Sequence, residues 1–302
     1  MMNKEKMRLN KTIGFALILA FAFFMTSCEN DENGSISASN KSTLDEEQTK
    51  DNVEKVKKIF YSIPSTIEMA TIIQNSGASY NSDLLNDINN VSNYTSSSSK
   101  AINLGIYGAD LSYTSVFNRN QESVFYLSCS KQLAEQLDIS NALSEDLLDR
   151  IEEQVEDREA LTDIVTETYW SLDSYLKDND RSELSALMVA GGWLEGLFLS
   201  TQIYREGNAN DELIQRIIDQ RFALDHLIQL VESHGVSGSL VDVNTDLKSI
   251  KDLFDQAQVA QSSGNSKSDG ITVIGGKKYA MSNGQLDELS VLVENIRTKY
   301  VS

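Results

Sequence analysis

One proline, two histidines and two cysteines in 302 residues leave little from which to build a conventional reaction centre. His226 and His234 stand eight residues apart, and with a single cysteine beyond the N-terminal region they cannot complete a zinc or transition-metal cluster of typical ligands. No calcium loop of the D-x-[DN]-x-[DN]-G type, P-loop, dinucleotide-binding glycine fingerprint or G-x-S-x-G elbow occurs. No metal and no cofactor is therefore expected. The carboxylate-rich run Glu145 to Glu159 reads as a solvated helix face. Positive charge is also scarce, with 26 Lys and Arg against 45 Asp and Glu and a net charge of −19. Nucleic acid and anionic membrane surfaces both require a basic excess, so neither is an expected electrostatic partner. The acidic balance serves solubility.

The long apolar runs are two, and neither reads as a membrane span. The first, Ile13 to Phe24, is 12 residues long and follows Lys4, Lys6, Arg8 and Lys11. That is the length of a signal-peptide core, short of the roughly 20 residues that cross a bilayer as a helix. Met25-Thr26-Ser27-Cys28 comes directly after it and resembles a bacterial lipobox. The resemblance implies cleavage before Cys28, diacylation of its thiol and acylation of the freed amine. Such multiple acylation anchors stably where one chain is marginal. Residues 28–43 are acidic, then Ser- and Asn-rich, the composition of a disordered tether. About 15 extended residues reach about 50 Å. Residues 1–27 thus read as an export signal, 28–43 as a tether and 44–302 as the folded domain. The expected location is the cell envelope, on either the periplasmic face or the surface of the outer membrane.

The second run, 184–204, has spanning length, but Glu195 sits near its middle with three glycines around it. A charge at that depth is costly in lipid. A helix buried on all sides by protein is the better reading.

Lack of proline goes with abundant helix signals, and the fold class reads as all-α, a multi-helix bundle. Capping boxes are expected at Thr43…Glu46, Ser65…Glu68, Asp180…Glu183 and Ser282…Gln285. Helices are predicted over 44–62, 65–76, a short one near 81–90, then 100–118, 120–137, 144–178 with a break near 156–158, 182–206, 210–234 and 240–260. Leu240, Val243, Leu247, Ile250, Phe254 and Ala257 step by three and four, as do Leu286, Leu289, Val293, Ile296 and Tyr300, the stripe that bundle packing requires. Between these stripes Ile271–Ile274 and Lys277–Met281 flank Gly275-Gly276, which reads as a small β-hairpin with a primed turn. Once Cys28 is lipidated, Cys129 has no disulfide partner, and its apolar surroundings predict a buried small side chain.

Two segments concentrate glycine, aromatics and a carboxylate. One is Asn103 to Tyr113, with Gly105, Gly108, Tyr107 and Asp110; the other is Ala190 to Gly196, with Gly191, Gly192, Trp193 and Glu195. Glycine inside a helix costs about 1 kcal/mol relative to alanine. Either the helices cross closely there, or a ligand meets backbone in a pocket lined by Tyr107, Asp110, Trp170, Trp193 and Glu195. An acid inside such helices has a raised pKa and can act as a general acid.

These residues also carry a resemblance. Tyr61-Ser62-Ile63-Pro64-Ser65-Thr66-Ile67-Glu68, Asn103-Leu104-Gly105-Ile106-Tyr107-Gly108-Ala109-Asp110-Leu111 and Ala190-Gly191-Gly192-Trp193-Leu194-Glu195-Gly196 are similar to motifs of a family of Bacteroidota helical lipoproteins without an assigned activity. The likeness runs over residues 44–235. It implies a helical lipoprotein on the cell envelope and carries over no reaction. The expectation is a non-catalytic module, held on the membrane by its lipid, that binds a protein partner or a small ligand. The alternatives are a carboxylate-dependent hydrolase of cell-wall or glycan material working through Asp110 or Glu195, and a purely structural scaffold.

Overall fold

Pro64 and Ser65 set the start of the first described helix. Proline cannot continue a helix, and the Ser65 side chain accepts from the Glu68 N–H while Glu68 returns a bond to the Ser65 N–H. The computed structural model describes residues 62–140, 150, 158–235, 238–259 and 278–302. The export signal, Cys28, the tether, the 44–62 helix and its Thr43…Glu46 box lie outside the described residues. So does most of 141–157, which takes in the Glu145–Glu159 run up to residue 157 and most of the expected break.

The described helices are α1 (Thr66–Asn75), α2 (Ser97–Val116), α3 (Asn120–Gln136), α4 (Arg158–Asp178), α5 (Ser182–Arg205), α6 (Asp211–Ser233), α7 (Ser239–Phe254) and α8 (Asn283–Val301). Gly77 ends α1 at φ +81°, a conformation that glycine adopts without strain. The helix expected near 81–90 is two short 3-10 turns, Ser82–Leu84 and Ile88–Ser92. A capping box at Ser282…Gln285 opens α8 as expected, and one at Ser96…Ser99 opens α2. The box at Asp180…Glu183 does not form. Asp180 lies at φ +56° in the turn, Arg181 occupies the N-cap position, and no side chain caps the helix. The turn from α4 into α5 fixes that backbone, and the Asp180 carboxylate is left without the N-cap role.

Helix α5 is the centre of the bundle. Every residue from Leu184 to Ile203 is buried. It packs most extensively on α2, and also on α8, α6, α4 and α1. This explains a helix apolar on all faces: each face meets another helix, so none needs to be polar. The stripes on α7 and α8 are buried through Leu240, Val243, Leu247, Ile250 and Phe254 and through Leu286, Leu289, Val293 and Ile296, while Ala257, past the end of α7, and Tyr300 are half-buried. Strands Gln258–Val259 (β1) and Tyr279–Ala280 (β2) pair antiparallel, Gln258 with Ala280 and Val259 with Tyr279. A two-stranded hairpin is therefore present. Its first strand is the chain leaving α7, where 271–274 was expected, and residues 260–277, with Gly275-Gly276, lie outside the described residues. Tyr279 is fixed by the Arg221 guanidinium, 3.7 Å above its ring, and by the edge of Phe222.

Candidate functional site

The crossing of α2 and α5 sets the geometry of the interior. A Cβ placed on Gly105 would lie 1.9 Å from the Met188 carbonyl oxygen and 2.7 Å from the Gly192 nitrogen. One on Gly191 would lie 2.0 Å from the Ile102 carbonyl oxygen. The obstacles are backbone atoms, so the two helices touch main chain to main chain. Gly196 faces the Met69 side chain of α1, with 3.2 Å from a built Cβ to the Met69 Cβ. Gly108 is only half-buried. Of the two readings of the glycines, the geometry here is that of a close crossing.

One turn along each helix from this contact, Asp110 and Glu195 meet in the interior, both without solvent exposure. Arg297 of α8 reaches them. Its Nε and Nη2 donate to Glu195 Oε2 and Oε1, each at 2.9 Å, a bidentate fork that fits a carboxylate plane. Its Nη2 also points to the Leu84 carbonyl at 3.4 Å, and its guanidinium lies 4.7 Å from the Phe198 ring centre. Asp110 accepts the Asn86 N–H on Oδ2 at 3.2 Å. Its Oδ1 accepts nothing. Glu195 is within hydrogen-bond reach of Asp110.

Burial first, and the Glu195 charge second, push the Asp110 carboxyl well above the usual carboxylate range, while Arg297 and the Asn86 N–H oppose them. Because Oδ1 has no donor aimed at it, a hydroxyl on that oxygen with Glu195 as acceptor satisfies the atom.

The segment 81–94, with its two 3-10 turns, forms a strap over this cluster. Several of its backbone groups bond to side chains from the helices beneath. Tyr107 Oη donates to the Asp87 carbonyl at 2.8 Å, Tyr126 Oη to the Asn86 carbonyl at 3.2 Å, and Cys129 Sγ approaches the Ile88 carbonyl at 3.7 Å. Asn86 Nδ2 donates to Tyr94 Oη at 3.0 Å, and Tyr94 Oη points at the Val301 carbonyl at 3.4 Å. A segment too short for regular structure satisfies its buried backbone in this way. Burial also raises the Cys129 thiol to about 11.

Of the residues the sequence singled out, Tyr107, Asp110 and Glu195 are brought together. Trp193 is not with them. Two positions before Glu195 on a helix of 3.6 residues per turn, it faces the other way, and its Nε1 donates to Gln220 Oε1 of α6 at 3.1 Å. It is 2% exposed. Trp170 lies on α4, and its side chain is outside the described residues. Arg297, Asn86 and Tyr94 were not anticipated. A signal for Arg297 exists: it follows Val293 by four residues and so lies on the buried side of α8. Asn86 and Tyr94 sit in a stretch that composition marks only as loop.

Cavities open on the surface of the described residues, two of them beside elements already named. One, of about 330 Å3, lies between the strap and α3, bordered by Asp83, Asn86, Asp87, Glu122, Phe125 and Tyr126. The other, of about 630 Å3, runs between α7 and α8 along Asp252, Leu253, Asp287, Glu288, Val291 and Leu292. Among the described residues, no group of three His, Cys, Asp or Glu side chains could hold a metal ion. No family model, no curated protein and no solved structure matches the chain.

Proposed function

We propose that the chain is a lipid-anchored module of the bacterial cell envelope, attached through Cys28 to the outer membrane, whose helical bundle binds a protein partner or small ligand without catalysing a reaction. The observation that carries the non-catalytic part is the sealing of the interior. Asp110 and Glu195 are both fully buried, and Glu195 is taken up by a two-pronged bond to Arg297. A hydrolase would need a cleft leading to two carboxyls separated by water or sugar. Here they lie against each other beneath the strap. The close contact at Gly105 and Gly191 supports a rigid supporting role for these helices, so recognition falls to the outer surface, where the strap cavity and the α7–α8 groove open. The net charge of −19 speaks for a partner other than nucleic acid.

The anchor rests on the charged start, the apolar run Ile13 to Phe24 and Met25-Thr26-Ser27-Cys28. The similarity of Asn103–Leu111 and Ala190–Gly196 to motifs of Bacteroidota lipoproteins points the same way. Cys28→Ala tests it. The variant is expected to lose incorporation of a fatty-acid label and to leave the membrane fraction. A variant that stays membrane-bound and labelled would overturn the reading.

A further inference from the structure

We propose that Asp110 and Glu195 form a buried site for a single proton, and that this proton holds the strap 81–94 closed over the bundle. The inference goes beyond the envelope-module reading and does not depend on lipidation. It starts from a count of charge in a sealed space. Two carboxyls without solvent exposure face one guanidinium. Arg297 gives both of its donors at that end to Glu195, so Glu195 is the acceptor, and the proton belongs on Asp110. The one oxygen of the cluster without a partner is Asp110 Oδ1. An O–H there, donated to Glu195, completes the hydrogen bonding and brings the group to neutrality, where an unpaired buried carboxylate would be strongly unfavourable.

The other groups around the site do not replace that proton. Helix α2 contributes the Tyr107 hydroxyl, bonded away to the Asp87 carbonyl. Helix α3 contributes Tyr126, bonded to the Asn86 carbonyl, and the Cys129 thiol, at the Ile88 carbonyl. The strap brings Asp87 and Tyr94, and Glu122 of α3 lies farther out; both acids add negative charge to the surroundings of Cys129 or Tyr126. Among the described residues, Arg297 is the cation that acts on Asp110.

Asp110 is tied to the strap through the Asn86 N–H, and Arg297 through the Leu84 carbonyl. When the Asp110 O–H bond breaks, its proton passes to hydroxide or buffer base, and a carboxylate remains beside Glu195. The repulsion is relieved by opening the strap to water. The folded chain then holds one more proton than the unfolded chain over a range that starts at the ordinary Asp value of 3.8 and extends upward. Stability conferred by the proton is therefore present at low pH and lost as pH rises through that range.

The experiment uses the full chain and Asp110→Asn. Asparagine still accepts the Asn86 N–H and offers an N–H to Glu195, but it never ionises. Urea unfolding of both proteins from about pH 5 to about pH 8 gives the ratio of their unfolding constants, expected to rise by up to about tenfold per pH unit, the slope of one linked proton. A ratio flat across this range overturns the proposal. Infrared spectra of the unaltered protein at neutral pH provide a second readout, independent of whether the variant folds. A carbonyl band of a protonated carboxylic acid is expected, and its absence overturns the proposal. Amide protection over 82–92 is expected to fall with rising pH in the unaltered protein. Unchanged protection would refute the coupling to the strap.

Discussion

Gly105→Ala and Gly191→Ala each add one methyl group at the α2–α5 crossing, and the structure says where it would go. It would sit 1.9 Å from the Met188 carbonyl oxygen in the first case and 2.0 Å from the Ile102 carbonyl oxygen in the second. Ordinary contact begins at 3.4 Å, so the helices must separate locally by about 1.5 Å. Backbone oxygens in a helix cannot rotate away as a side chain would. Helix α5 also touches five other helices, so displacing it disturbs packing on every side. Overpacking of this kind costs about 1–3 kcal/mol, and the backbone contact puts both variants at about 3 kcal/mol or above. For a domain of this size that lowers the melting temperature by about 6–12 °C. Two controls separate this from a general effect of the substitution. Gly196→Ala meets the Met69 side chain at 3.2 Å, which yields by a few tenths of an ångström, and the gain in helix propensity of up to about 1 kcal/mol offsets part of the strain. Gly284→Ala on α8 meets nothing within 4 Å and is expected to melt at or slightly above the unaltered temperature. Thermal melts followed by circular dichroism give the order. If Gly105→Ala or Gly191→Ala melts within about a degree of the unaltered protein, the close-crossing explanation is wrong.

Arg297→Met leaves Glu195 buried with no counter-charge and is expected to cost about 3–5 kcal/mol in urea unfolding. Lys248→Met removes an ion pair to Glu232 that is equally short, at 2.8 Å, but 53% and 43% exposed, and it should cost under about 1 kcal/mol. Equal losses would refute the distinction between buried and surface pairs. Cys129, 6% exposed with its thiol raised to about 11, is expected to react slowly with a thiol reagent at neutral pH and rapidly in denaturant. Fast labelling of the native protein would contradict its burial under the strap.

Features governed by local pattern were legible in the residue order alone. Helix positions follow from caps and from the steps of three and four, since both act within one or two turns; hence Thr66–Asn75 begins behind Ser65, and the α7 and α8 stripes are buried as spaced. The burial of Leu184 to Ile203 on all sides was legible because no face of that segment is polar. The gathering of Tyr107, Asp110 and Glu195 was legible too, as glycine and acid recur together in both segments. Tertiary structure alone decided the rest. The Asp180 cap failed because the preceding turn set its backbone, a constraint that a four-residue motif does not contain. Tyr279 and Ala280 pair with the stretch where the chain leaves α7, a contact that no local run predicts. Trp193 and Glu195 are neighbours in sequence, yet a helix turns them to opposite sides, toward Gln220 and Arg297. The pairing of Glu195 with Arg297 spans 102 residues. Its cause is the packing of α8 beside α5 and α2, which brings a cation and two acids into a space that water does not enter.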